Sequence, residues 1–387
     1  MSASLRPCSL TLYDFKKYPM MKNKYRILIS GGGTGGHIFP ALSIANALRR
    51  RLDTEILFVG ADDRMEMERI PAAGYPIKGL PVAGFDRKHL LRNFGVLLKL
   101  RKSLAMARRI VDEFQPDIAI GVGGYCSGPT LKAAQRRGVP TLIQEQNSYA
   151  GVTNKLLARN AMRICVAYEG MQRFFPAEKI VLTGNPIRKD LLEHTFGSAE
   201  ARMRFGLAAE PRTILVVGGS LGALTVNRSM AEGLRCLIDA GYQVIWQTGK
   251  TFHSRALEAA KGLKGVVVAP FISDMAAAYA AADLVVSRAG AGSISELEAL
   301  GKPVILVPSP NVAEDHQTKN AQALESRGAA ILIPDTVASE RMITEMLTLA
   351  ASPERLAEMS RNIKGLALDN SDEKIVDEIV KILNAPR

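Results

Sequence analysis

Two stretches of this chain share one arrangement, and it constrains the fold more than any other feature. Residues 25–30 form a short apolar run that ends in Gly31-Gly32-Gly33-Thr34-Gly35-Gly36-His37 and passes into a helix-like segment over 40–51. Residues 213–217 repeat the pattern, ending in Gly218-Gly219-Ser220-Leu221-Gly222-Ala223 before another helical stretch. Strand, glycine corner and helix form the repeating unit of an open parallel α/β sheet, so two copies imply two such halves. Further short β-rich runs fall at 55–60, 117–122, 141–146, 163–168 and 179–184, then at 243–249, 266–271, 284–290, 303–308 and 329–333. They are almost continuously apolar, as strands buried on both faces are. The break at Gly184-Asn185-Pro186 marks the join, and 371–383 has helical spacing that suits a return to the first half.

A length of 387 residues is enough for about two domains. The 47% apolar and 23% charged fractions are ordinary globular values. The longest uncharged run, 213–227, contains glycines, serine and asparagine and is too short to span a bilayer. Residues 1–24 lack the apolar core of a signal peptide and read as a disordered extension, with Met20-Met21 as an alternative start. Cys8, Cys126, Cys165 and Cys236 are scattered, which suits reduced cytoplasmic thiols.

The net charge of +12 calls for a partner. Between residues 80 and 140, eleven Lys and Arg face four acids. Aromatic residues are few and no nucleic-acid-binding signature occurs, so nucleic acid is not the expected partner. Within this region Leu97, Leu100, Leu104, Ala107, Val111 and Phe114 recur at helical spacing and describe a face packed on the sheet. Upstream, Phe85, Leu90, Leu91 and Phe94 sit among Arg87, Lys88 and Arg92 and fit no single helical face. Apolar tips ringed by cations suit an anionic membrane surface, each cation contributing about 1 kcal/mol there.

The glycine-rich corners are the candidate chemical sites. Small residues let backbone N–H groups approach an anion, and the following helix aims its positive end at it. The first corner satisfies G-x-G-x-x-G, so a dinucleotide pocket is one reading, with Asp62 or Asp63 as the ribose acid. A second corner in the same half, Gly121-Val122-Gly123-Gly124-Tyr125-Cys126-Ser127-Gly128-Pro129, suggests a second phosphorylated ligand. Gln144-Glu145-Gln146-Asn147 is a polar cluster after the next strand, functional or simply a loop. In the second half, Ser287 to Glu296 leads from strand to helix, where free N–H groups can hold a diphosphate and Glu296 can accept a ribose diol. Ser293-x-x-Glu296 also reads as a capping box that needs no ligand. Backbone groups of Ile272 can pair with a pyrimidine edge, with Ser273 capping the next helix. An amide after Asp315-His316 can reach sugar hydroxyls. His37 is either structural or an exposed imidazole facing a cleft. No cluster has metal-ligand spacing, so no metal or other cofactor is expected. Walker, nucleophile-elbow and kinase motifs are absent from the sequence.

Taken together, these stretches resemble the MurG family of bacterial peptidoglycan glycosyltransferases. The segments are GGTGGHIFPAL from Gly32, GVGGYCSGP from Gly121, EQNSYAGVTNKLLA from Glu145, GNPIR from Gly184, GGSLGA from Gly218, FISDM from Phe271, SRAGAGSISE from Ser287 and DHQTKNA from Asp315. They come in the family's order and cover the chain from about residue 24 to its end. The resemblance implies an α/β fold of two Rossmann-like domains facing across a cleft, the GT-B type, with the C-terminal helix packing back on the first domain. The expected division is an extension over 1–24, an acceptor and membrane-side domain over 25–187, a donor domain over 188–366 and a returning helix over 367–387.

The implied reaction is inverting transfer of N-acetylglucosamine from UDP-N-acetylglucosamine to the C4 hydroxyl of undecaprenyl-diphosphoryl-N-acetylmuramoyl-pentapeptide. The resemblance assigns donor contacts to Arg188 and Ser220 near the nucleotide, Ile272 at the uracil and Glu296 on the ribose. It places Ala291, Gly292, Ser293, Ile294 and Ser295 at the diphosphate, and Gln317 and Asn147 on the sugar. Thr34, Gly35 and Gly36 lie where donor and acceptor meet, Gly123, Gly124 and Tyr125 at the acceptor diphosphate, and His37 is the expected base. Gly292 and Ser293 stand where many relatives have a bulkier residue and a threonine. The lipid-linked acceptor gives the patch of Phe85, Arg87, Lys88, Leu90, Leu91, Arg92 and Phe94 a purpose, at the cytoplasmic face of the inner membrane. Partner proteins of cell-wall synthesis or division follow from the same resemblance. Three rivals stay open on the residues alone: a nicotinamide-dependent oxidoreductase, a UDP-sugar epimerase of the same architecture, and a nonenzymatic membrane- or RNA-binding protein.

Overall fold

The computed structural model describes residues 24–82, 93–193, 195–219, 222–312 and 315–385. The first sheet is built from β1 (Tyr25–Gly31), β2 (Thr54–Ala61), β3 (Ile77–Leu80), β4 (Ile118–Gly123), β5 (Thr141–Glu145), β6 (Arg163–Val166) and β7 (Ile180–Leu182). Its order is β3-β2-β1-β4-β5-β6-β7. The second comprises β8 (Thr213–Val217), β9 (Gln243–Gln247), β10 (Val266–Ala269), β11 (Leu284–Ser287), β12 (Val304–Leu306) and β13 (Ile331–Leu332), in the order β10-β9-β8-β11-β12-β13. All of these neighbours run parallel. Strand order reverses between β1 and β4 in one sheet and between β8 and β11 in the other. Ligands bind at such switch points, outside the carboxyl ends of the strands. Each of those four strands runs into a glycine-containing corner.

The short edge strand β3 is a departure from the sequence reading. Four residues that include Lys78 and Gly79 carry too little periodicity to register, and backbone pairing with β2 alone defines it.

The helix after the first corner, α1 (Gly35–Arg51), starts earlier than the apolar pattern and runs through Pro40. It lies over Ile27, Ile29, Phe58 and Ile120, contributing Ile38, Ile44 and Leu48 to one buried cluster. The C-terminal helix α14 (Ser371–Leu383) adds Ile375, Val376 and Ile379 to that same cluster. Each fully buried side chain of this kind contributes roughly 1.5–3 kcal/mol, so α14 belongs energetically to the first domain. Its acidic first turn meets the basic last turn of α1, with Arg50 2.9 Å from both Asp372 and Glu373. Opposite charges at opposite helix ends also suit both helix dipoles.

The helix α3 (Asn93–Phe114) bears out the expected apolar face only in part. Ala107, Ile110 and Val111 are buried, and Ser103 anchors to the Pro81 carbonyl at 3.1 Å. Leu100 was expected in the packed face but is 43% exposed, and Leu98 is 55% exposed. Among the described side chains burial starts at Ser103, so Leu100 lacks the cover that periodicity assumes, and the side chain of Leu97 lies outside the described residues.

Candidate active site in the interdomain cleft

The first two glycine corners interlock. Below the first lies Glu66, the opening residue of α2 (Glu66–Ala72) and fully buried. Its carboxylate accepts the Gly33 N–H at 3.0 Å and the Ala61 N–H at 3.0 Å. The second corner is pressed against the first. Gly123 and Gly124 have φ of +107° and +84°, and a Cβ on Gly124 would sit 2.4 Å from the Gly32 carbonyl oxygen. Ser127, which begins α4 (Ser127–Arg136), donates to the Ser30 carbonyl at 2.8 Å and the Gly123 carbonyl at 2.7 Å, tying β1 to β4.

His37 stands between the corners. Its Nδ1 is 3.0 Å from the Gly32 carbonyl oxygen and 3.3 Å from the Thr34 hydroxyl; the shorter contact is to a group that only accepts, which assigns the proton to Nδ1. Nε2 then keeps a bare lone pair. It faces the second corner, where a Cβ on Gly123 would lie 2.7 Å from it. Burial pulls the imidazole below its usual 6.5, against upward pulls from Glu145, the Gly32 carbonyl and Glu66; His316 pulls it down as well. The ring is therefore neutral and basic at pH 7.

Glu145, at the end of β5, accepts from Asn147 N–H at 3.1 Å, Gly151 N–H at 3.0 Å and Asn154 Nδ2 at 2.9 Å. It shapes the loop into α5 (Val152–Ala158) and places a negative charge near His37. Neither Glu66 nor Glu145 was singled out as a site residue from the sequence. The detectable signal was an acid two residues before Asn147; Glu66 had none, because only folding brings it beneath the loop.

In the second domain, α10 (Ala291–Leu300) follows β11 with Gly290 as its cap. Ile294 N–H is bonded to the Gly290 carbonyl at 3.0 Å, so the N–H groups of Ala291, Gly292 and Ser293 precede the helical ladder. No side chain caps this end. Ser293 is the third helical residue and Glu296 the sixth, which excludes the capping box. Glu296 instead accepts from the buried Tyr279 hydroxyl at 3.0 Å, within electrostatic range of Arg188. Burial, with Glu296 beside it, keeps that phenol protonated. Ile294 belongs to the core, and Ser295 Oγ accepts from Asn185 at 3.1 Å.

The segment after β10 differs in detail from the sequence reading. Asp274, not Ser273, caps α9 (Met275–Ala281), accepting the Ala277 N–H at 2.9 Å. An acid with a free carboxylate one residue nearer the helix wins the cap. The Ile272 N–H, one of the two backbone groups expected at a pyrimidine edge, is bonded to Gln247 Oε1 at 2.9 Å. Gln247 also donates to the Gly219 carbonyl at 3.2 Å, joining two corners that the sequence keeps apart.

Asn320 closes the cleft on one side. It lies on α11 (His316–Glu325), fully buried, and its Oδ1 accepts from Ser148 N–H at 3.0 Å and Ser148 Oγ at 2.9 Å. Its Nδ2 lies 3.3 Å from Asn147 Oδ1. Asn147 thus bridges the domains, and Gln317 accepts the Ser309 N–H at 2.8 Å. Asn185 bonds the Gln146 carbonyl at 3.0 Å, so the linker is tied to both domains. Thr34, Gly35 and Gly36 form the open start of α1, and Tyr125 is 59% exposed beside its corner. Ser220 and Phe85, Arg87, Lys88, Leu90, Leu91 and Arg92 lie outside the described residues, as does the side chain of Phe94. Among the described residues, no group of three His, Cys, Asp or Glu is placed to hold a metal ion.

Two parallel-sheet domains with their glycine corners turned to one cleft define the GT-B fold. The chain matches the glycosyltransferase family 28 N-terminal domain over residues 27–166 and the C-terminal domain over 213–378. It is 61% identical over 364 residues to the UDP-N-acetylglucosamine–N-acetylmuramyl-(pentapeptide) pyrophosphoryl-undecaprenol N-acetylglucosamine transferase of Parabacteroides distasonis, covering 93% of this chain and 99% of that one. The Phocaeicola vulgatus protein of the same name is 59% identical, with 95% and 99% covered. The crystal structure of Acinetobacter baumannii MurG superposes with a TM-score of 0.75 at 30% identity, covering 92% and 99%. The chain belongs to glycosyltransferase family 28 and, within it, to the MurG family.

Proposed function

We propose that this enzyme transfers N-acetylglucosamine from UDP-N-acetylglucosamine to the C4 hydroxyl of undecaprenyl-diphosphoryl-N-acetylmuramoyl-pentapeptide, with inversion. The observation that carries the reading is the bare Nε2 of His37 between two interlocked glycine corners, in a chain so close to transferases of that name. In this reading the first domain, 25–187, holds the acceptor, and the second, 188–366, holds the donor. His37 Nε2 takes the proton of the C4 hydroxyl. The oxygen attacks the anomeric carbon from the face opposite the nucleotide, and UDP departs with the bonding electron pair.

Charge develops on the leaving diphosphate. The N–H groups of Ala291, Gly292 and Ser293 and the guanidinium of Arg188 answer it, fixed in place before the reaction. Glu296, held by Tyr279, takes the ribose hydroxyls, and the Ile272 carbonyl meets the uracil. Asn147 and Gln317 reach the sugar, with Thr34, Gly35 and Gly36 at the point of transfer and Gly123, Gly124 and Tyr125 at the acceptor diphosphate.

Among the described residues no helix is long and apolar enough to cross a membrane. The basic stretch 85–94, extended by the exposed Leu98 and Leu100, supports peripheral docking on the cytoplasmic membrane face. Cell-wall synthesis or division proteins are its expected neighbours there. Mass spectrometry after incubation with UDP-N-acetylglucosamine and a lipid-linked muramoyl acceptor tests the reaction. A disaccharide-lipid product is expected. Free N-acetylmannosamine with no transfer product would overturn it in favour of an epimerase.

A further inference from the structure

A fully buried carboxylate lies directly under the loop that the sequence marks as an anion site, and no substrate role accounts for it. Glu66 is admitted there by glycines: a Cβ on Gly32 would fall 2.0 Å from its Oε1, and one on Gly60 2.6 Å from its Cγ. The carboxylate occupies the Gly33 N–H, so that group is not presented to a phosphate. What it controls is the peptide unit between Gly32 and Gly33. In a trans peptide the N–H and C=O point opposite ways. With the N–H turned down onto Glu66, the Gly32 carbonyl is turned up onto His37 Nδ1, 3.0 Å away. The second corner lies close over that carbonyl at Gly124, where an added Cβ would fall 2.4 Å from its oxygen.

We propose that Glu66 is a positioning residue for the base: through the Gly32–Gly33 peptide it fixes the Nδ1–H tautomer of His37 and leaves Nε2 to take the acceptor proton. The chain carboxylate, peptide and imidazole is the arrangement of a hydrolase triad with one peptide dipole inserted. This rests on His37 being the base, as proposed above. The other titratable groups acting on the ring are Glu145 from β5 and His316 from α11, and neither is itself altered by substituting Glu66.

The test uses the full chain with 15N-labelled histidine. In the wild type, the His37 nitrogen shifts should report a protonated Nδ1 and a bare Nε2. Glu66→Gln should mix the tautomers and lower kcat about tenfold or more. Removing a negative charge disfavours imidazolium, so the acid limb of kcat against pH should move down. KM for UDP-N-acetylglucosamine should hold within about twofold, since the nucleotide contacts lie in the second domain. Glu66→Asp keeps the charge but cannot span to Gly33; it should loosen the tautomer with a smaller shift of the limb. A wild-type ring protonated on Nε2, or a Glu66→Gln protein with the wild-type tautomer and limb, overturns the proposal. Should Glu66→Gln fail to fold, the wild-type spectrum and the aspartate variant decide. Full turnover in His37→Ala would remove the base instead, and the tautomer measurement separates that failure from this one.

Discussion

At the residue scale the site depends on contacts that tolerate no added atom. His37→Ala removes the only base in the proposed reaction and should lower kcat by about 10²- to 10⁴-fold. UDP should still raise the melting temperature of the variant, because the nucleotide contacts lie in the second domain. Unchanged turnover at saturating substrates would take His37 out of the mechanism. Gly123→Ala tests the interlock itself. The new Cβ would fall 2.6 Å from the His37 ring, at a φ of +107° that a side chain rarely adopts. The expected result is a loss of kcat comparable to that of His37→Ala, with a drop in melting temperature from the backbone strain. Wild-type kcat in a folded Gly123→Ala protein would show that the ring is not held there.

At the element scale α10 combines two tasks. Its N-terminus offers three N–H groups to the cleft, while Glu298, further along, is half-buried near Tyr168 of the first domain. Burial raises the Glu298 carboxyl to about 8, with Arg327 pulling the other way. An unfolded chain binds that proton with the ordinary carboxylate value of 4.5. Between these values the folded state holds more protons than the unfolded one, so stability falls as pH rises. The slope is at most about 1.4 kcal/mol per pH unit, reduced by the partial exposure of the group. Glu298→Gln should therefore melt at nearly the wild-type temperature at pH 5 and above it at pH 8. An equal difference at both values would mean that the carboxyl does not titrate in this window. The same element shows why patterns mislead. Ser293-x-x-Glu296 has the spacing of a capping box, yet the helix starts at Ala291 and the box has no end to cap.

At the scale of the whole molecule, the domains meet through a small set of polar contacts. Asn320 joins α11 to Ser148, and Asn185 joins the linker to α10. Such interfaces hold less firmly than apolar ones and leave domain motion available to a substrate cycle. Charge is organised at the same scale. The region around 80–140 is strongly basic, and Leu98 and Leu100 are exposed within it. Charge reversal at Arg87, Lys88 and Arg92 together should weaken binding to anionic vesicles by about 10²-fold or more, each cation being worth roughly 1 kcal/mol. Turnover of a water-soluble acceptor should stay near wild type. Equal vesicle binding by both proteins would remove this surface from membrane docking.

The chain's own order of residues determined two parallel sheets, because near-continuous apolar runs must be covered on both faces and glycine corners recur at their ends. It also placed the candidate functional segments, since residues just after parallel strands share the sheet edge where ligands gather. Three features came only with tertiary structure. Glu66 lies 33 residues beyond Gly33, and nothing local announces that its carboxylate will fill the space beneath two glycines. Gln247 reaches Ile272 and Gly219 from a third strand. His37 was legible as a histidine at a helix start and, through the family resemblance, as the expected base, but its tautomer was not. That tautomer depends on which way one peptide faces, and that peptide is held from below by Glu66 and approached from above by a corner about 90 residues away in sequence.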